Sequence, residues 1–143
     1  MQIGLLASNA ALVEYFVTAL GVAGHTVTVY PSSTELFFGL FADASLPQRA
    51  PDELLLIELV LDDDGKQVIA ELCRLVRDQK LPLIVLTTSS REAIALAQTA
   101  FPGLCIRRLP LRLRTLLSLI QAQEPSTLSA GQELSLAQDS QYR

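Results

Sequence analysis

The sequence predicts an α/β fold: a five-stranded parallel sheet with helices on both faces. Three observations carry this. Five apolar or β-branched runs alternate with five segments whose apolar residues recur at helical spacing, and such alternation argues for parallel strands joined by helical crossovers. The runs Leu54–Leu59 and Leu83–Leu86 are apolar almost throughout, which suits strands covered on both faces. The chain has 143 residues, 50% of them apolar, enough for one domain with a full core.

Ile3 to Ala7 reads as the first strand, with Ser8-Asn9 capping the helix that follows. Val13, Phe16, Val17 and Leu20 mark that helix, and Gly21 to Gly24 stop it. Thr26 to Tyr30 is β-branched and aromatic, hence a strand. Ser33 or Thr34 caps a short helix carrying Leu36, Phe37, Leu40 and Phe41, and a loop with Pro47 and Pro51 follows. Leu54 to Leu59 is the central strand. Asp62, Asp63 and Asp64 then suit a helix N-terminus, with Asp64 or a neighbour as the cap. Three adjacent carboxylates could also meet around a cation, but they lack the alternating ligands of a calcium loop.

Val68, Ile69, Leu72, Leu75 and Val76 mark the next helix, and Leu83 to Leu86 the fourth strand. Thr87-Thr88-Ser89-Ser90 leads into a helix from about Arg91 to Ala100, ended by Pro102-Gly103. A fifth strand opens at Leu104-Cys105-Ile106 and stops at Leu109-Pro110. Leu113, Leu116, Leu117 and Ile120 give a last amphipathic helix. The folded domain is thus expected over residues 1–123. From 124 to 143 serine, glutamine, proline and glycine take over, which reads as a flexible tail or linker.

The net charge of -4 gives no support for a nucleic-acid surface on the domain itself. No secretory leader pattern opens the chain, and Glu58 and the arginines at 107, 108, 112 and 114 interrupt the longest apolar stretches, so a cytoplasmic, non-membrane protein is expected. Cys73 and Cys105, on a helix and a strand, read as two separate buried thiols. His25 stands alone, and no glycine-rich phosphate loop occurs.

The stretch from Leu54 through Glu58 to Asp64-Gly65 is similar to the centre of a receiver domain, the phospho-aspartate switch of two-component signalling. The resemblance covers roughly residues 1–122. It implies the flavodoxin-like strand order 2-1-3-4-5 and a site beyond the carboxyl ends of the strands. In that family an aspartate ending strand three takes the phosphoryl group. An acidic pair ending strand one holds magnesium, and a hydroxyl and a lysine bind phosphoryl oxygens.

Position by position, the acceptor's place falls to Glu58, with a loop to Gly65 one residue shorter than usual. The acidic pair's places fall to Ala7 and Ser8, the hydroxyl's to Thr87 and the lysine's to Leu109, before Pro110. Only the hydroxyl is kept. The resemblance therefore implies a degenerate receiver, or pseudo-receiver, with no phosphotransfer, no catalytic residue, no cofactor and no bound metal. It implies work through contacts with a protein partner or effector domain, or with a second copy through the last two helices. The family's face of helix four, strand five and helix five would here carry Arg91, Glu92, Arg112 and Arg114. Thr87 is expected to donate to Glu58, which would be a fixed charge imitating a phosphorylated state or a carboxylate held by local donors. Two other functions stay open: a working receiver with Asp62 as acceptor, and a small-molecule-binding domain using the hydroxyl-rich strand ends.

Overall fold

The computed structural model describes residues 1–42 and 52–123. The loop holding Pro47 and Pro51 and the segment 124–143 lie outside the described residues. Strand and helix alternate as β1 (Gln2–Leu6), α1 (Ala10–Val22), β2 (Thr26–Tyr30), α2 (Ser33–Ala42), β3 (Leu54–Glu58), α3 (Asp63–Gln79), β4 (Leu83–Thr87), α4 (Arg91–Ala100), β5 (Cys105–Arg108) and α5 (Leu113–Gln123). All four strand pairings are parallel, and the order is β2-β1-β3-β4-β5. β2 and β5 are the edges.

Side chains alternate across a strand, and here the alternation divides the core in two. Leu55, Ile57, Leu83 and Val85 meet Leu36, Ile69, Leu72 and Ala97 on the side of α2, α3 and α4. Leu54, Leu56, Ile84 and Leu86 meet Phe16, Leu20, Leu116 and Ile120 on the side of α1 and α5. Every residue of β3 and β4 is buried. Burying each such Leu or Ile contributes about 1.5–3 kcal/mol before the entropy of ordering is counted.

The helix ends are set by local chemistry. Asn9 Oδ1 accepts from the N–H groups of Ala11 (2.8 Å) and Leu12 (3.1 Å), fixing the start of α1. Ser32, rather than Ser33 or Thr34, caps α2: its hydroxyl accepts from Glu35 N–H at 3.2 Å. An N-cap must stand one residue outside the helix to reach its first turn, and Ser33 is already inside. The cap of α3 is Asp62 rather than Asp64, because Asp62 Oδ1 accepts from Gly65 N–H at 2.7 Å. Lys80 ends α3 in the left-handed region at φ 56°.

The two cysteines are not fully buried, and they are not remote. Both are half-buried and line one cavity of about 460 Å³ at the amino-terminal edge of the sheet, with Arg77, Lys80 and Phe101. Sequence separation hid this, since the cavity is lined jointly by α3, the start of β4 and the start of β5. Among the described residues no helix is long and apolar enough to cross a membrane.

Candidate functional site

The pairing of β1 with β3 places the ends of both strands side by side: Leu6 is opposite Ile57, so Ala7 follows next to Glu58. Ala7 is buried, and Glu58 is only 9% exposed. A carboxylate so placed needs donors, and Ser8 supplies two. Its backbone N–H and its hydroxyl both donate to Glu58 Oε1, each at 3.2 Å. Asn9 is held by the first turn of α1, which keeps Ser8 against the end of β3.

The expected bond from Thr87 to Glu58 is absent. Thr87 is fully buried and donates to Ser89 Oγ at 3.0 Å, while its own Oγ1 accepts from Ser89 N–H at 3.1 Å. The pleat gives the reason. Glu58 has the parity of Leu54 and Leu56, toward α1 and α5, whereas Thr87 has the parity of Leu83 and Val85, toward α3 and α4. Ser89 also accepts from Leu61 N–H at 2.9 Å, so one hydroxyl ties the end of β4 to the loop after β3. Sequence reading gave Thr87 the receiver's hydroxyl place and gave Ser89 no role of its own. Ser90 does cap α4, accepting from Ala93 N–H at 3.1 Å, but nothing in the hydropathy pattern marked Ser89.

The loop from β3 to α3 is tight. A Cβ at Gly65 would lie 1.9 Å from the carbonyl oxygen of Val60, which only a residue without a side chain avoids. Ser8, Ser32, Ser33, Glu58, Asp62 and Asp64 meet an apolar wall of Ala7, Pro31, Leu59, Val60 and Val68 around a cavity of about 320 Å³. Among the described residues no three histidine, cysteine or acidic side chains converge as a metal shell. Asp62, the alternative acceptor, stands beyond the strand with one oxygen committed to the cap.

Leu109 takes the place where a lysine was sought. It is partly buried against the core under α1 and α5, its N–H donates to Thr87 C=O at 2.8 Å, and its bond to Pro110 is cis. A hydrocarbon there can bind no anion. Arg91, Glu92, Arg112 and Arg114 are all exposed. Leu96 joins them on α4 with 65% exposure. Its spacing of four from Glu92 was a signal that sequence reading did not use.

No protein-family model matches the chain, and no curated protein matches it. Solved structures do. A bacteriophytochrome response regulator superposes with a TM-score of 0.68 at 23% identity, over 89% of this chain and 96% of its own. A two-component response regulator from Clostridium difficile gives 0.69 at 16% identity, over 86% and 94%. A CheY-like receiver domain protein from Methanospirillum hungatei gives 0.64 at 16% identity, over 85% and 91%. The chain has the flavodoxin-like fold of CheY-like receiver domains. At these identities the likeness concerns the fold alone.

Proposed function

We propose that the chain is a non-phosphorylated receiver-like module of a two-component or related pathway, acting through protein contacts. The observation that carries this reading is the Ser8–Glu58 pair. Where the family has a metal-binding acid and a phospho-acceptor, this chain has a hydroxyl donor and a carboxylate already bonded to it. With Ala7 and Leu109 at the other two places, no described residue there neutralises an incoming phosphoryl group, whose charge of about -2 needs cations or several donors. Thr87 is tied to Ser89 rather than left to follow a phosphate, which supports one fixed arrangement of the α4 side. The output surface in this reading is the exposed face with Arg91, Glu92, Leu96, Arg112 and Arg114, engaging a protein partner, an effector domain or a second copy.

The test is incubation with acetyl phosphate and magnesium, followed by intact mass. No adduct is expected. A stoichiometric phosphate on Glu58 or Asp62 would show a working receiver instead.

A further inference from the structure

We propose that the cavity at the amino-terminal edge of the sheet is the docking place of the chain's own segment 133–137, with Leu134 and Leu136 seated in it and Glu133 against Arg77 and Lys80. The reading is independent of the chemistry at the carboxyl edge. Its first ground is an unfinished apolar surface. Val76, Leu81, Leu83, Phe101 and Leu104 line the cavity of about 460 Å³ together with both thiols. Phe101, Leu104, Cys73 and Cys105 are each only partly buried. Apolar area left open in a concavity gains from any apolar side chain that covers it. The second ground is charge. Arg77 and Lys80 are exposed and line the same cavity, and no acidic residue among the described ones does. Burial raises the Cys73 thiol pKa and the Arg77 charge pulls it back in part, so that charge reaches into the cavity.

Three observations select the occupant. Gln123, the last residue of α5, itself lines the cavity, so the chain leaves α5 at this surface. Residues 124–132 then precede the segment, a stretch that reaches up to about 30 Å when extended, while its starting point is already at the cavity wall. The segment reads Glu-Leu-Ser-Leu-Ala. Alternate side chains of an extended segment share a face, so Leu134 and Leu136 can enter together while Ser135 stays outside. Third, the charges are complementary. Glu124, Glu133 and Asp139 against the single Arg143 make residues 124–143 net acidic, opposite in sign to Arg77 and Lys80. A tether this short holds its segment at an effective concentration on the order of millimolar, so two leucines and one ion pair suffice. The negative end of the α3 dipole opposes Glu133 in part. Because Arg77 and Lys80 are exposed, the ionic share of the contact is screened by salt.

The experiment reads the two thiols that the docked segment covers. The 143-residue chain is alkylated with iodoacetamide at fixed pH, and peptide mapping separates the rates at Cys73 and Cys105. Leu134→Asp joined to Leu136→Asp should raise both rates about threefold or more, since the shielding docked form is then no longer favoured. Glu133→Lys and Lys80→Glu should each speed Cys105, and joining the two should restore the slow rate, which a merely local effect of either change does not do. Added salt should speed Cys105 in the wild type and leave the leucine variant unchanged. Dilution should alter nothing, because segment and cavity belong to one copy. Equal rates in the wild type and the leucine variant overturn the proposal. Rates that rise on dilution overturn it as well, and assign the cavity to the segment of a second copy.

Discussion

One oxygen of Glu58 accepts both donors of Ser8, the backbone N–H and the hydroxyl, each at 3.2 Å. The pair spans β1 and β3 at the edge where the fold places its ligands. A bond of this kind contributes about 0.5–1.5 kcal/mol, and more when the acceptor is charged. Ser8→Ala keeps the N–H and loses the hydroxyl. It should destabilise the domain by about 1 kcal/mol, a fall of roughly 4 °C in melting temperature. Urea denaturation followed by circular dichroism measures this. An unchanged midpoint would mean that the hydroxyl bond carries no net energy.

Ser89 should matter more than Thr88. Its hydroxyl oxygen serves Thr87 and the Leu61 N–H, so Ser89→Ala leaves two part-buried donors short of an acceptor. The expected cost is about 1–3 kcal/mol. A double-mutant cycle with Thr87→Val should show coupling of about 0.5 kcal/mol or more. The measurement is equilibrium unfolding of the two single variants and the double one.

Gly65→Ala places a Cβ against the Val60 carbonyl oxygen, an atom that cannot rotate away. The loop must shift or Asp62 must release its cap. A loss of about 2–3 kcal/mol is expected, with the largest amide shifts in an NMR spectrum falling between Glu58 and Lys66. A wild-type stability would contradict the tight-loop geometry.

Leu96→Glu tests the contact face without touching the core. The side chain is 65% exposed, so stability should change by less than about 0.5 kcal/mol. If copies or partners meet through α4 and α5, sedimentation or pull-down should show weaker assembly. The same variant joined to Arg112→Glu should weaken it further.

Burial pushes the Cys73 thiol above its ordinary range, and the nearby Arg77 offsets this only in part. A raised thiol pKa means less thiolate at any given pH, and thiolate is the reactive form. Alkylation of Cys73 by iodoacetamide at pH 8 should therefore be slower than in the urea-unfolded chain, and should gain speed as pH rises further. Peptide mapping of the labelled site separates it from Cys105.

How much was legible beforehand differs between fold and site. The apolar runs of β3 and β4 and the helical spacing between them imply a parallel sheet, because helical crossovers between parallel strands cover such strands on both sides. The strand order came with the receiver resemblance and matches the observed sheet. Ala7, Ser8, Glu58, Thr87 and Leu109 do gather at the carboxyl edge, since each ends or follows a strand. Their partners were not legible. Whether Thr87 meets Glu58 depends on which face each side chain takes at the last residue of its strand, and an error of one position reverses it. The cap of α3 stayed open among three consecutive aspartates for a similar reason: all three satisfy the same composition rule, and only the approach of Gly65 N–H selects Asp62.

The two open edges of the sheet are guarded unequally. β5 carries exposed Arg107 and Arg108, and charge on an edge strand deters a second strand from adding to it. β2, with sequence Thr-Val-Thr-Val-Tyr, has no charge and leaves Val29 40% exposed. Uncharged, β-branched segments of this kind template cross-β stacking when their cover loosens. Aggregation under heat or mild denaturant is therefore expected to begin at the Thr26–Tyr30 margin rather than at the arginine-bearing β5.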